Sequence, residues 1–304
     1  SLRAGPKLVG SAMENFILNC HKDVNTQLEH ILPEATGSAQ RLYGAIRYAV
    51  FNGGKRIRPL LCYGGACAVG EIDDNTAKIA ASIEMMHAYS LIHDDLPSMD
   101  DDTLRRGKPS CHIEYDEGTA ILAGDALQSL AFQQLTELGD LDTVVNVELI
   151  KLLVRGSGCQ GMVAGQAIDL ASTATEIDLP ALVEMHRFKT AAMIESSVLM
   201  GAMGTGKATD DQLKALRTFG TSIGVAFQIQ DDILDVEAAT EEIGKKQGSD
   251  NEGRKATFTS LLGTQMAKDN VNELFENSIK SLEDFDSSAD RLRSIANFIV
   301  TRTF

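Results

Sequence analysis

The chain has 304 residues, of which 43% are hydrophobic and 23% charged, as in ordinary globular proteins. Its net charge of −15 argues against nucleic-acid binding and against attachment to anionic lipid, since both require clustered Lys and Arg. No apolar run reaches the roughly 18 residues that span a bilayer, and the five cysteines include no CxxC pair. We therefore expect a cytoplasmic protein without stable membrane insertion, whose residues 1 to about 10 are flexible or derive from a cloning vector.

Helical patterns follow one another along the whole chain. Apolar residues recur at the spacing of amphipathic helices, whereas alternating strand patterns bounded by turns are essentially absent. Asp178 is a predicted N-cap, and Thr209 with Gln212 is a predicted capping box. The helices are expected at approximately 10–32, 38–52, 58–69, 75–95, 117–138, 142–170, 178–204, 209–236, 266–284 and 288–301. The prediction is one all-α domain over residues 1–304, a bundle of more than four helices.

Two glycine-rich stretches look like nucleotide-binding loops but lack the right surroundings. "GSGCQG", Gly156 to Gly161, matches GxGxxG, yet no βαβ pattern surrounds it. "GAMGTGKAT", Gly201 to Thr209, resembles a P-loop but has Ala208 where a hydroxyl should contact Mg²⁺. We interpret the first as a site of close helix packing and the second as a helix-to-helix turn.

Two aspartate-rich clusters carry the strongest chemical signal. The first contains Asp94, Asp95 and Asp100, at the end of a helix that Pro97 should break so that the chain bends back. The second is "QDDILD", in which Asp231 and Asp235 stand one helical turn apart and share a face. A helix C-terminus disfavours anions, so carboxylates placed there indicate divalent cations, and Mg²⁺ prefers such oxygen ligands together with phosphates.

Basic residues accompany both clusters. In an acidic protein, Arg and Lys beside Asp-rich loops indicate diphosphate recognition, although each group alone would also fit surface ion pairing. They stand in "GGKRIRP", "LRRGKP", "HRFKT" and "GKKQGSDNEGRK", and are Lys55, Arg56, Arg58, Arg105, Arg106, Lys108, Lys189, Lys245 and Lys255.

These motifs, in this order, resemble the trans-isoprenyl diphosphate synthases. GGKRIRP, HAYSLIHDDLPSMDDDTLRRG, GQAIDL, HRFKT and FQIQDDILD carry the resemblance, which runs from about Leu42 to Leu262 and is strongest to the bacterial farnesyl diphosphate synthases. It implies an all-α isoprenoid synthase fold around a central catalytic cavity. It also implies a homodimer and a Mg²⁺-dependent 1'-4 condensation of isopentenyl diphosphate with dimethylallyl or geranyl diphosphate.

The resemblance also assigns roles to individual residues. Three Mg²⁺ ions would be held by Asp94, Asp95, Asp100, Asp231 and Asp235. Isopentenyl diphosphate would be bound by Gly54, Lys55, Arg58, His87 and Arg106. The allylic diphosphate would be bound by Arg105, Lys189, Thr190, Gln228, Lys245 and Lys255. The catalytic set would be Asp94, Asp100, Arg105, Lys189, Thr190, Gln228 and Asp231.

Tyr89 is the residue that bears on the length of the product. Tyr89 lies five residues before Asp94, about 7.5 Å along a helix, where an aromatic ring can floor the pocket of the growing chain. In the family, bulk at this position accompanies C15 products, which favours farnesyl diphosphate over geranyl or geranylgeranyl diphosphate. The alternative is that Tyr89 is an ordinary core residue. Two departures from the family pattern, Phe188 and "KATFTS" with Phe258 and Thr259, leave the metal chemistry untouched.

Two other functions fit parts of the pattern. A class I terpene cyclase would share the fold and the first cluster, but it should carry an NxxxSxxxE-type second metal site where DDILD stands. A non-catalytic subunit of a heteromeric prenyl synthase would be expected to lack one aspartate motif, and this chain keeps both.

Overall fold

The computed structural model describes residues 10–172, 177–243 and 256–302. The expectation for residues 1 to about 10 therefore lies outside the described residues, apart from the first residue of α1. The helices are α1 (Gly10–Ile31), α2 (Gln40–Val50), α3 (Ile57–Val69), α4 (Asp74–Asp94), α5 (Cys111–Glu114), α6 (Glu117–Thr136), α7 (Thr143–Ser157), α8 (Met162–Ser172), α9 (Leu179–His186), α10 (Ala192–Gly204), α11 (Asp210–Ile243), α12 (Phe258–Leu262), α13 (Thr264–Ser281) and α14 (Asp290–Thr301). A π-helical turn, Arg187–Ala191, joins α9 to α10, and a 3₁₀ turn, Ser287–Ala289, precedes α14.

Helix starts follow the capping signals in the sequence. The Asp178 side chain accepts a hydrogen bond from the Ala181 amide at 3.0 Å. Thr209 and Gln212 form the predicted reciprocal box, with amide-to-side-chain distances of 3.0 and 3.2 Å. These bonds satisfy amides that the first helical turn leaves without partners. The all-α prediction is confirmed.

The structure differs from the predicted helix map in several places. The single helix expected at 142–170 is two helices, α7 and α8, separated at Gly158 to Gly161. The single helix expected at 178–204 is α9, the π-helical turn and α10, and the short helices α5 and α12 were not predicted. A two-residue antiparallel ribbon was not predicted either: Leu104–Arg105 (β1) pairs with Lys108–Pro109 (β2). Gly156 serves helix packing, as expected: an added Cβ would lie 2.9 Å from the Cβ of Ser196 on α10.

The centre of the molecule is built by α3, α4 and α10. Their apolar residues are almost entirely buried, and those of α4 include Ile79, Ile83 and Met85. A Cβ at Gly65 would collide with the backbone of Val198, so α3 and α10 pack backbone against backbone. Rigid central packing of this kind fixes the N-terminal end of α3 and the C-terminal end of α4, where the functional motifs begin.

A second apolar cluster lies under the middle of α11. It joins α9, the π-helical turn, α11, α12 and α13, and it shares Leu274 and Val300 with the main core. Its members include Leu182, Ile229 and Phe258, which fix the position of α11 around its aspartates. The single domain over 1–304 stays a prediction. Within the described ranges, none of the helices is both long and apolar enough to cross a bilayer.

Candidate active site

Asp94 and Asp100 meet at the C-terminal end of α4. Asp94 is the last residue of the helix, and the Asp100 amide donates to the Asp94 carbonyl oxygen at 2.9 Å. The bend after Pro97 therefore returns the chain as the sequence predicts. The pKa of Asp94 is raised to about 6, chiefly by burial and in part by the neighbouring Asp100 carboxylate, against the opposing charge of Lys189. A cation placed here would relieve this destabilisation of the charged carboxylates.

Asp95 and Arg105 bind each other. Arg105 Nε donates to the two carboxylate oxygens of Asp95 at 3.0 and 3.2 Å, and an Nη donor adds to this fork. Asp95 is only 2% exposed. Its hydrogen bonds to Arg105 connect the end of α4 to the β1–β2 ribbon. The family resemblance assigns Asp95 to the metals and Arg105 to the allylic diphosphate. In this structure, the Asp95 carboxylate and the Arg105 guanidinium instead bind each other.

The second cluster lies in the middle of α11. Asp231 forms an ion pair with Arg302 at 2.7 Å, and its pKa is raised by burial and lowered by that guanidinium. Asp232 is buried and accepts hydrogen bonds from the Phe258 amide at 2.8 Å and the Gln228 amide at 3.2 Å. Asp235 is exposed one turn further on. Asp231 and Asp235 are thus the members available to a ligand, whereas Asp232 supports the fold.

The π-helical turn joins the two clusters. Lys189 Nζ contacts the Asp169 carboxylate of α8 at 2.5 Å and also lowers the pKa of Asp94 through its charge. The next residue, Thr190, donates from Oγ1 to the Gln228 side-chain oxygen of α11 at 3.2 Å. The residues predicted to surround the reacting carbon are therefore brought together, between the end of α4 and the middle of α11.

A cavity of about 570 Å³ lies at the start of α3. Arg58 Nη1 lies 3.5 Å from His87 Nε2, and burial together with Arg58 holds the pKa of His87 well below its usual range. His87 is therefore neutral and can accept or donate according to tautomer. The lining residues are Asn52, Gly53, Gly54, Lys55, Arg56, Ile57, Arg58, Glu84, His87, Arg106, Phe227 and Arg302. All five residues predicted to bind isopentenyl diphosphate line this one cavity.

Gly54 shows why the loop before α3 needs glycine. Its φ is +125°, and a Cβ there would lie 2.6 Å from the guanidinium carbon of Arg106. Arg106 in turn donates to the Gly53 carbonyl oxygen. The glycine pair lets the backbone pass close to the ribbon, so that Arg106 joins the cationic cavity from a distant part of the chain.

Three residues of the site were missed from sequence. Arg302 stacks over the Phe227 ring, with its guanidinium carbon 4.0 Å from the ring centroid. It also lines the cationic cavity and forms the ion pair with Asp231. Glu84 forms a buried ion pair with Arg56, and Asp169 pairs with Lys189. Helical spacing could have found Glu84, which stands three residues before His87 on the same helix face. The quoted motif GQAIDL already contained Asp169.

The donor atoms suit Mg²⁺, although the described residues do not pre-assemble a complete metal site. The carboxylates supply only oxygen ligands, which this hard cation prefers. Among residues 10–172, 177–243 and 256–302, no three Asp, Glu, His or Cys side chains converge closely enough to hold a metal ion. The coordination of a metal ion would therefore be completed by other oxygen donors, such as a bound diphosphate. Lys245 and Lys255, predicted to contact the allylic diphosphate, lie outside the described residues.

The helical fold, the two aspartate clusters and the cationic cavity define an all-α enzyme class that handles diphosphates. The polyprenyl synthetase family model matches residues 39–297, and the chain belongs to this family. It is 46% identical over 264 residues to the farnesyl diphosphate synthase of Haemophilus influenzae, covering 86% of this chain and 88% of that protein.

Two solved structures share the fold. A putative farnesyl-diphosphate synthase from Marinomonas sp. MED121 is 42% identical with a TM-score of 0.83, covering 95% of this chain and 98% of that one. A Helicobacter pylori geranyltransferase, complexed with magnesium and isoprenyl diphosphate, is 35% identical with a TM-score of 0.82, covering 96% and 98%. The resemblance drawn from the motifs is thereby confirmed.

Proposed function

We propose that this prenyltransferase joins isopentenyl diphosphate head to tail (1'-4) to dimethylallyl or geranyl diphosphate, giving farnesyl diphosphate and diphosphate. One observation carries the proposal: a cationic cavity adjoins Asp231 through Arg302, and the π-helical turn links Gln228 to the Asp94 end of α4. Two neighbouring anion sites are what a condensation of two diphosphates requires. The similarity to farnesyl diphosphate synthases supports the C15 product.

The allylic diphosphate would bind between the two aspartate clusters. Asp94, Asp100, Asp231 and Asp235, with Asp95 in support, would hold three Mg²⁺ ions, and these ions would supply positive charge that favours departure of the diphosphate. Lys189 lies beside Asp94 and adds a further positive charge. The oxygens of Thr190 and Gln228, 3.2 Å apart, provide the dipoles that favour the allylic cation left behind.

Isopentenyl diphosphate would bind in the cationic cavity. Arg58 and Arg106 suit forked hydrogen bonds to diphosphate oxygens, while Lys55 supplies a point charge. Glu84 offsets part of the repulsion among these cations through its pairing with Arg56. The double bond of isopentenyl diphosphate then attacks the allylic cation. The proton that is lost afterwards goes to the released diphosphate, as the family pattern implies.

Tyr89 would set the length of the product. The ring is 7% exposed and lies on α4 five residues before Asp94, as the floor hypothesis requires. It stands edge-on to the His93 ring with centroids 5.2 Å apart. A rigid aromatic ring there would stop elongation after the C15 product, whereas a smaller side chain would admit a longer one.

The dependence of diphosphate release on isopentenyl diphosphate tests the proposed reaction. The protein is incubated with Mg²⁺ and geranyl diphosphate, with and without isopentenyl diphosphate, and released diphosphate is measured by a coupled phosphate assay. Release only when both substrates are present is expected for condensation. Release from geranyl diphosphate alone would indicate a terpene cyclase, and no release even with both substrates present would favour a non-catalytic subunit.

We also propose a cytoplasmic homodimer. Apolar side chains on α6 and α7 are exposed in the isolated chain, including Leu122 at 57% and Val144 at 69%. Such side chains are typical of surfaces covered by another protein. Light scattering of the purified protein is expected to give twice the mass of one chain, and a monomer at micromolar concentration would contradict the homodimer.

A further inference from the structure

His93, which packs against the Tyr89 ring, is contacted on two sides. His93 stands one helical turn after Tyr89 on the same face of α4, and their rings meet edge to face at an interplanar angle of 85°. His93 Nε2 lies 3.1 Å from the Ile121 carbonyl oxygen of α6, so Nε2–H donates to that oxygen. The imidazole therefore links the Tyr89 ring to the neighbouring helix.

Gly124 on α6 makes room for this imidazole. A Cβ at Gly124 would lie 2.5 Å from His93 Cδ2 and 2.9 Å from Cε1, both closer than van der Waals contact allows. Gly124 itself is buried in the middle of α6, where it needs no unusual backbone conformation. A glycine inside a helix costs about 1 kcal/mol relative to alanine, so its close contact with His93 supplies a packing reason for it.

We propose that His93 and Gly124 are specificity-determining positioning residues. The hydrogen bond to Ile121 and the space over Gly124 fix the imidazole, and the imidazole fixes the tilt of the Tyr89 ring. The depth of the pocket for the growing chain would then depend on α6 as well as on Tyr89. The inference rests on the proposed function, because it concerns the length of the product that the condensation makes.

The test is product length in variants that leave Tyr89 unchanged. His93→Ala removes the support, lets the Tyr89 ring tilt towards α6, and is expected to raise the share of C20 product roughly tenfold. Gly124→Ala displaces the imidazole towards Tyr89, narrows the pocket, and is expected to raise the share of C10 product. In the double variant, the alanine at position 124 meets no imidazole, so it should add nothing to the effect of His93→Ala.

A matched control lies on the same helix. Gly118 is exposed, and a Cβ there would meet only an Asp116 oxygen at 3.4 Å, so Gly118→Ala is expected to keep the wild-type products. Products are sized after long incubation with dimethylallyl diphosphate, isopentenyl diphosphate and Mg²⁺, so that slow variants still report their product lengths. Thermal unfolding checks that each variant is folded.

Each outcome decides a separate claim. Unchanged product shares in both single variants, with condensation intact, would overturn the inference and leave the proposed function standing. A folded variant that makes no product in the long incubation would also contradict it, because these residues are assigned to product length and not to the reaction itself. Failure of the wild-type protein to condense any starter would instead overturn the proposed function.

Discussion

Individual carboxylates differ sharply in what surrounds them. Asp94 and Asp231 are both partly buried with raised pKa values, and Asp231 also pairs with Arg302, whereas Asp95 is bound by Arg105 and Asp232 by the Phe258 amide. A buried carboxylate without a full set of partners is costly unless a cation joins it. Asp94 and Asp231 are therefore the residues whose removal should affect metal-dependent chemistry most directly.

Asp94→Ala and Asp231→Ala should each lower the rate of condensation by roughly 100-fold or more, since electrostatic groups at a reacting centre have effects of that size. The rate is measured with saturating isopentenyl diphosphate and geranyl diphosphate in Mg²⁺. Asp101→Asn is the control, because Asp101 is exposed and its φ of +54° suits asparagine. A wild-type rate in either alanine variant would contradict the metal assignment.

Arg302→Ala should raise the KM for isopentenyl diphosphate roughly tenfold and change the KM for geranyl diphosphate less. Arg302 lines the cationic cavity, and a charge-assisted hydrogen bond contributes about 1.5–3 kcal/mol. Arg291→Ala serves as the control, because Arg291 packs on the Phe16 ring of α1 instead. Equal effects on both KM values would show that Arg302 acts only through Asp231.

Tyr89→Ala should lengthen the product beyond C15, because the ring proposed to floor the pocket is removed. Products from dimethylallyl diphosphate and isopentenyl diphosphate are sized by mass spectrometry. Tyr63→Phe is a suitable control, because Tyr63 is a buried tyrosine of the main core on α3. An unchanged C15 profile in Tyr89→Ala would assign Tyr89 to the core alone.

At the scale of elements, α8 and the π-helical turn act as one unit. A Cβ at Gly165 would lie 2.6 Å from the Lys189 Cβ and would also collide with the Lys189 backbone, so the two segments touch directly. One helical turn later, Asp169 holds the Lys189 ammonium at 2.5 Å. The motif GQAIDL thus explains how Lys189 is aimed towards Asp94.

Asp169→Asn should lower kcat more than it raises the KM for geranyl diphosphate, because Lys189 keeps its charge but loses the carboxylate that orients it. Steady-state kinetics separate the two parameters. Asp169→Glu keeps the charge and should recover part of the rate, whereas a purely structural role would lower the melting temperature of both variants alike. Full activity in Asp169→Asn would rule out the positioning role.

Local motifs were predictable, and long-range pairs were not. GGKRIRP and the two aspartate clusters are short enough for spacing alone to indicate their chemistry, and the bend that returns Asp100 to Asp94 follows from Pro97. The Glu84–Arg56 pair and the approach of Arg302 to Asp231 depend on how distant segments pack, and the Asp95–Arg105 fork depends on how the loop between them folds. The break between α7 and α8 was missed because the glycines of the stretch from Gly156 to Gly161 were interpreted as positions of close packing inside one helix.

At the scale of the whole molecule, a strongly negative chain holds a positively charged cavity. The net charge of −15 would repel anionic substrates at long range, but Lys55, Arg56, Arg58, Arg106 and Arg302 gather at one cavity. Salt screens charges beyond about 10 Å at 0.1 M, so the local cations dominate where a diphosphate binds. These cations supply the local positive charge that the proposed diphosphate substrates require.

The product made from dimethylallyl diphosphate, isopentenyl diphosphate and Mg²⁺ tests the central claim most directly. Labelled isopentenyl diphosphate is used, and the prenyl products are identified by mass spectrometry after removal of the diphosphate. A predominantly C15 product carrying two isopentenyl units, abolished by EDTA, is the predicted result. No labelled prenyl product with any allylic starter would contradict the account.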